Sequence, residues 1–441
     1  MNEVLTLSGV KQAALIREGQ VSPEELFEAH CAHIRKINPA LNAVIELLPR
    51  GAPTRGPFEG VPCSVKDSIQ IRGQPCTAGT WGYRNSPPAP KDAALVSRLR
   101  GAGAVPIART NLPDLLFAFE SDNLIFGRTN NPYDFSRTAG GSSGGEAALI
   151  AACGAPFGLG SDAAGSVRLP AHYSGIASIK PTSGRLDRTG HMPPPAGWIE
   201  MIWQIGPMSR NVEDLIELMP ILAGVPIEGA PPKNIAFFTD NGILAADEDT
   251  RKTVCDAANA LERAGYVVRE ARPACIDQSY ELEMKIIGPD GGDGLRAFAG
   301  SIGSDRLHPL FEGWLAKLEP YRTDLAGFAR YWAELDRFRA EMAAFMTDYD
   351  AILSPVAAFP AVPHGTSIDD TVFPGYSYTM THNMTGWPAA VVRCGTSSAG
   401  LPIAVQVAAH PWREDVALRI ARDLEEALGG WQMPPFLIEH S

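Results

Sequence analysis

The chain has 441 residues, 45% hydrophobic and 20% charged, which excludes a disordered, collagenous or coiled-coil protein. At about 150 residues per domain, its length allows roughly three domains or one large one. Thirty-eight basic against fifty acidic residues leave a net charge of −12, which argues against a partner bound by neutralising phosphates, as nucleic acid is. Glycine and proline, 43 and 37 residues, exceed the usual share of roughly 12% combined, so backbone geometry is expected to matter somewhere. The 7 cysteines are an odd number without a CxxC pair, which fits neither a disulfide framework nor a zinc site. A reduced, cytoplasmic setting is the expectation. The N-terminal stretch lacks a signal peptide's basic and apolar regions, and no run of about 18 apolar residues suggests a spanning helix.

Ser22-Pro23-Glu24-Glu25 predicts a helix opened by a capping box and ended at Asn38-Pro39. Val44–Leu47 reads as a strand. Asp92–Arg100 reads as a helix stopped by Gly101, followed by a strand over Ala104–Ala108. Residues 234–270 form a strand–helix–strand unit, which implies at least partly parallel pairing. Ala351–Leu353 is a short buried-type strand. Ala389–Arg393 and Ile403–Val407 flank Gly400-Leu401-Pro402 as paired strands, and a final helix runs from Glu414 to Leu428. Pro193–Pro195 and Pro226–Pro232 are loop-like. Residues 271–380 mix a polar, aromatic helical stretch with glycine-rich loops, and no internal repeat is evident.

Nine glycines fall in the 38 residues from Thr138 to Gly175. The first cluster, Gly140-Gly141-Ser142-Ser143-Gly144-Gly145, runs straight into an apolar helix, which is unlike a flexible linker. No Lys-Ser or Lys-Thr pair follows, as a phosphate loop would require. It also fits G-x-S-x-G, the nucleophile elbow of an α/β-hydrolase-type esterase using Ser142, with His382 or His410 as a distant base. The preceding Tyr133–Ala139 is a poor strand for that purpose. The second cluster is Gly160-Ser161-Asp162-Ala163-Ala164-Gly165-Ser166-Val167-Arg168. Upstream, Lys66 sits in the apolar stretch Gly60–Ile69 beside Asp67, where a lone lysine would ordinarily extend its amine to water.

Together, Val65-Lys66-Asp67, the Gly-Gly-Ser-Ser-Gly-Gly run and Gly165-Ser166-Val167-Arg168-Leu169-Pro170-Ala171 resemble the amidase signature family. Ile179–Arg185, Gly206–Leu215 and Gly400–Gln406 extend the resemblance over nearly the whole chain, weakest over about 225–345. The resemblance implies a three-layer α/β/α fold with a mixed, mostly parallel central sheet flanked by helices. It implies one domain over 1–441, with a catalytic core at about 60–215 and a variable substrate-side region at about 225–380. The implied activity is hydrolysis of a carboxamide C–N bond through an acyl-enzyme. Ser166 would be the nucleophile, Ser142, in a cis peptide after Gly141, the proton relay, and Lys66 the base. Backbone N–H groups of Ala163, Ala164, Gly165 and Ser166 would form the oxyanion hole. Ser143, Gly141, Asp162 and Arg168 would support them, the last two as paired charges beneath the nucleophile loop.

A free lysine is protonated at neutral pH, so Lys66 is expected to be neutralised by burial, with Asp67 turned away or paired elsewhere. No metal or cofactor is implied. The implied partner is a small amide substrate, with no nucleic acid and no membrane, and room is left for a homodimer. Many members read Thr-Gly-Gly-Ser where this chain reads Ala163-Ala164-Gly165-Ser166, which makes substrate preference less transferable. His172 reads as a packing histidine. Trp81, Phe119, Trp203 and Trp387 lie in or near segments that border family pockets. The family's glutamine amidotransferase subunit usually has glutamine where Leu169 stands here, which disfavours that reading. A non-catalytic binding protein is disfavoured because all three triad residues are present.

Overall fold

The computed structural model describes residues 3–194 and 197–439; Pro195, in one of the expected loops, lies outside them. The strands are β1 (Val44–Leu47), β2 (Pro62–Lys66), β3 (Val105–Thr110), β4 (Asn130–Asn131), β5 (Asp134–Thr138), β6 (Phe157–Asp162) and β7 (Ala177–Lys180). They continue with β8 (Gln204–Ser209), β9 (Asn234–Phe237), β10 (Val267–Glu270), β11 (Ala351–Pro355), β12 (Ala389–Thr396) and β13 (Pro402–Ala409). Eleven form one sheet in the order β1-β3-β2-β6-β8-β7-β12-β13-β11-β9-β10, and β4 and β5 form a separate hairpin.

The sheet is mixed, as expected. Parallel pairing joins β3 to β2 to β6 on one side and β11 to β9 to β10 on the other. The six remaining interfaces are antiparallel, a heavier antiparallel share than the expected mostly parallel sheet. One of them, between β12 and β13, is the expected pair, closed into a hairpin by the tight Gly400 turn.

Adjacent strand residues feed different cores. Ile235, Leu353, Ala390 and Val405 join one cluster with the helices Val212–Ala223, Glu248–Arg263 and Glu414–Leu428. Their neighbours Ala236, Ile352, Val391 and Ala404 point to clusters on the opposite face. Both faces of the sheet are therefore covered, giving the three-layer arrangement.

The capping box forms as expected: Ser22 Oγ accepts from Glu25 N–H at 3.1 Å, and Ser22 N–H donates to Glu25 Oε2 at 2.9 Å. The helix runs through Pro39 to Leu41, past its expected end. Asn38 does not stop the helix; its side chain accepts from the Ala43 and Val44 N–H groups and holds the chain leaving the last turn. The next expected helix starts at Ala94, later than Asp92, because Asp92 instead accepts from Arg72 N–H and pairs with Arg100. The β9–helix–β10 unit is parallel, and the final helix spans Glu414–Leu428, both as expected.

Candidate active site

Lys66 ends β2, and Ser161 and Asp162 end its parallel neighbour β6, so the sheet brings all three to one carboxyl edge. Ser142 and Ser143 occupy the turn before the helix Gly144–Ala151, and Ser166 the turn before the helix Arg168–Ser174. Ser143 N–H donates to Ser166 O at 3.1 Å and ties the two turns together. The Gly141–Ser142 peptide is cis. Gly141 packs on the backbone of Ala118–Glu120, where a Cβ would collide.

Lys66 is fully buried. Its Nζ lies 2.7 Å from Ser142 Oγ, 2.9 Å from Ser143 Oγ and 3.2 Å from Ser161 Oγ. Burial drives its pKa well below the ordinary lysine value, against the opposing charges of Asp162 and Glu146. A neutral amine has two N–H groups and one lone pair, which match three hydroxyl neighbours. Ser143 Oγ faces both the Ser161 carbonyl and the Ser161 N–H at 3.3 Å, so its proton can go to the carbonyl while it accepts from lysine. The lone pair is then available to the Ser142 hydroxyl.

The neighbouring charges are neutralised locally. Asp67 pairs with Arg109 and accepts from the Thr77 hydroxyl and N–H, turned from Lys66 as expected. Asp162 and Arg168 form a fully buried pair at 2.9 Å. Burial pushes the Asp162 carboxyl up, but Arg168 and the Asn383 hydrogen bond outweigh it and hold it well below the usual range. Glu146, read in the sequence only as a helix former, hydrogen-bonds Ser64 and Thr110, and burial pushes it up to about 7.

Ser142 and Ser166 line one cavity of about 490 Å³, its open mouth included. Ala163 and Ala164 border it, with walls that include Phe119, Ile199, Trp203, Ile287 and Trp314. Among the described residues, no lining side chain is charged. Ser166 Oγ makes no hydrogen bond within the described protein, and its hydroxyl is not bonded to that of Ser142. The expected oxyanion set needs one correction: Gly165 N–H donates to Asp162 Oδ1 at 2.8 Å and is taken. Ala163, Ala164 and Ser166 N–H groups meet no protein acceptor among the described residues.

Of the four aromatics singled out, Phe119 and Trp203 line the cavity; Trp81 and Trp387 do not. Trp81 lies beneath Arg84 and Arg306. His172 is a packing residue, its ring bonded to the Phe359 carbonyl and the Ala404 N–H, with burial lowering its pKa to about 4. His410 faces the Tyr349 carbonyl, and buried His382 has no partner on either ring nitrogen among the described residues, so neither histidine hydrogen-bonds Ser142. Among the described residues no cluster of three His, Cys, Asp or Glu could hold a metal ion, and no helix is long and apolar enough to cross a membrane.

The family profile described as Amidase matches residues 25–418. The chain belongs to the amidase family. It resembles human fatty-acid amide hydrolase 2, at 30% identity over 98% of this chain and 91% of that protein. It is 31% identical to indoleacetamide hydrolase of Bradyrhizobium diazoefficiens, over 96% of this chain and 86% of the relative. A glutamyl-tRNA(Gln) amidotransferase subunit from Thermus thermophilus is also 31% identical, over 94% of this chain and 96% of the relative. Among solved structures, 6-aminohexanoate cyclic dimer hydrolase complexed with substrate superposes with a TM-score of 0.87 at 27% identity, covering 98% of this chain and 99% of that one. This member of the amidase family is accordingly an enzyme that hydrolyses carboxamide C–N bonds.

Sequence reasoning missed Ser161, although it lies inside the second glycine cluster. It also missed Ile287 and Trp314, which reach the cavity from the least readable stretch.

Proposed function

We propose that this amidase acts on small amides with an apolar acyl group, using Ser166 as nucleophile, Ser142 as relay and Lys66 as base. The supporting observation is a charge-free cavity carrying both serines, with buried Lys66 Nζ 2.7 Å from one of them. Ser166 Oγ bonds to the amide carbonyl carbon while its proton passes through Ser142 to the Lys66 lone pair. The oxyanion is held by N–H groups of Ala163, Ala164 and Ser166, each typically worth about 2.7–4 kcal/mol. Lys66 returns the proton through Ser142 to the leaving nitrogen as the C–N bond breaks. Water then attacks the acyl-enzyme, and its proton takes the same route back to Ser166.

The apolar wall favours aryl or alkyl acyl groups. The named substrates of fatty-acid amide hydrolase and indoleacetamide hydrolase have the same character. Free glutamine would leave its ammonium and carboxylate without partners there, although the amidotransferase relative keeps that reading testable. We read residues 1–441 as one unit and the setting as cytoplasmic. The sheet supports the first point by drawing strands from Val44 to Ala409.

A fluorophosphonate probe followed by peptide mapping tests the assignment. Label is expected on Ser166, and Ser166→Ala should abolish both labelling and turnover of apolar amides with folding intact. Label on Ser142 alone would overturn it. Preferential release of ammonia from glutamine by the purified chain would favour the amidotransferase reading.

A further inference from the structure

The Ala164–Gly165 peptide is held at both ends. Its N–H donates to Asp162 Oδ1 at 2.8 Å, and its carbonyl accepts from Thr379 Oγ1 at 2.7 Å. Thr379 belongs to the helix Ser377–Met384, more than two hundred residues along the chain from the nucleophile. Its own carbonyl accepts from Arg168 Nη1 at 2.8 Å, and Arg168 pairs with Asp162. The contacts close a ring: Asp162, Arg168, Thr379, Ala164. Gly165 has φ +125°, a region open to glycine, and a Cβ there would collide with the Thr379 side chain. A peptide bounded by such a residue has little intrinsic resistance to rotation. The Thr379 hydroxyl also lies 2.8 Å from Tyr376 O, the usual back-bond within a helix. Ala164 O has no other donor among the described residues, so it has the stronger claim on that proton.

We propose that Thr379 is a positioning residue: its hydroxyl fixes the Ala164–Gly165 peptide so that the flanking N–H groups of Ala164 and Ser166 stay turned to the cavity. This rests on the serine acyl-enzyme reading. It also gives the Ala163-Ala164 departure a setting, since the alanine peptide is clamped from outside the signature segments.

Thr379→Val keeps the branched shape and removes the hydroxyl; Thr379→Ser keeps the hydroxyl. With an apolar amide, Thr379→Val should lower kcat about tenfold to a hundredfold while KM stays within about twofold. The rate of fluorophosphonate labelling at Ser166 should fall in parallel. Thr379→Ser should recover most of both, and the pH profile should not move. Wild-type kcat in Thr379→Val, or an equal loss in Thr379→Ser, would overturn the proposal. If the valine variant does not fold, Thr379→Ala takes its place in the same comparison. Failure of wild-type Ser166 to label would instead sink the underlying serine reading.

Discussion

At the scale of single residues, the proposed chemistry turns on the protonation of Lys66. Burial depresses its pKa, so the neutral form grows as pH rises through that lowered value. For an essential base, kcat/KM should climb with pH along the acid limb and level off once the amine is neutral. Lys66→Ala should lose about 10²–10⁴-fold near neutral pH and proportionally less at high pH, where hydroxide substitutes for the base. A pH–rate profile of both proteins checks this, and a pH-independent loss would contradict the role. That Lys66, Ser142 and Ser166 share a site was legible because each lies in a short contiguous motif. Ser161 was not, because its contact with Lys66 arises only when β2 and β6 pair in register.

Helices and loops divide the labour differently. The proposed catalytic groups come from strand ends and from turns that open helices, whereas part of the cavity wall comes from helices of the 271–380 stretch. Trp314 sits on the helix Pro309–Leu318, packed edge-on to Phe117 at 5.5 Å and Phe373 at 5.7 Å. His308 N–H anchors the start of that helix to Asp114 at 3.0 Å. Trp314→Val should therefore shift preference toward longer acyl groups without removing the chemistry. A buried methylene is worth roughly 0.8 kcal/mol, so the kcat/KM ratio between homologues should rise about fourfold for each added carbon that the new space admits. Assays along a series of linear amides measure this, and an unchanged chain-length profile would exclude Trp314 as a determinant. This wall was illegible in the sequence because aromatic residues in a helix read as core until the tertiary fold shows one facing a void.

At the scale of the molecule, the covered sheet predicts a gradient of stability. The central strands β6, β7, β8 and β12 are paired on both sides and almost wholly buried, whereas edge strand β10 is partly exposed. Amide hydrogen exchange should be slowest in the central set and faster in β10. Equal protection of edge and centre would contradict it. The parallel pairing of β9 and β10 could be read from one local strand–helix–strand unit. The antiparallel joins of β6 with β8 and β8 with β7 could not, because a helix and another strand lie between β6 and β8, a long loop lies between β7 and β8, and local periodicity carries no direction.

Arg109, on β3, reaches toward β2 and holds Asp67 away from the lysine beside it. A carboxylate one residue from a base would ordinarily stabilise its charged form and make it a weaker proton acceptor at neutral pH. Here that influence is diverted, and the lysine's proton affinity answers to burial and to the charges of Asp162 and Glu146. With Lys66 as the proposed base, the acid limit of turnover is thereby insulated from the nearest acidic neighbour in the chain. On that proposal, a group outside the cavity, touching neither serine, helps to define the pH range in which the enzyme can work.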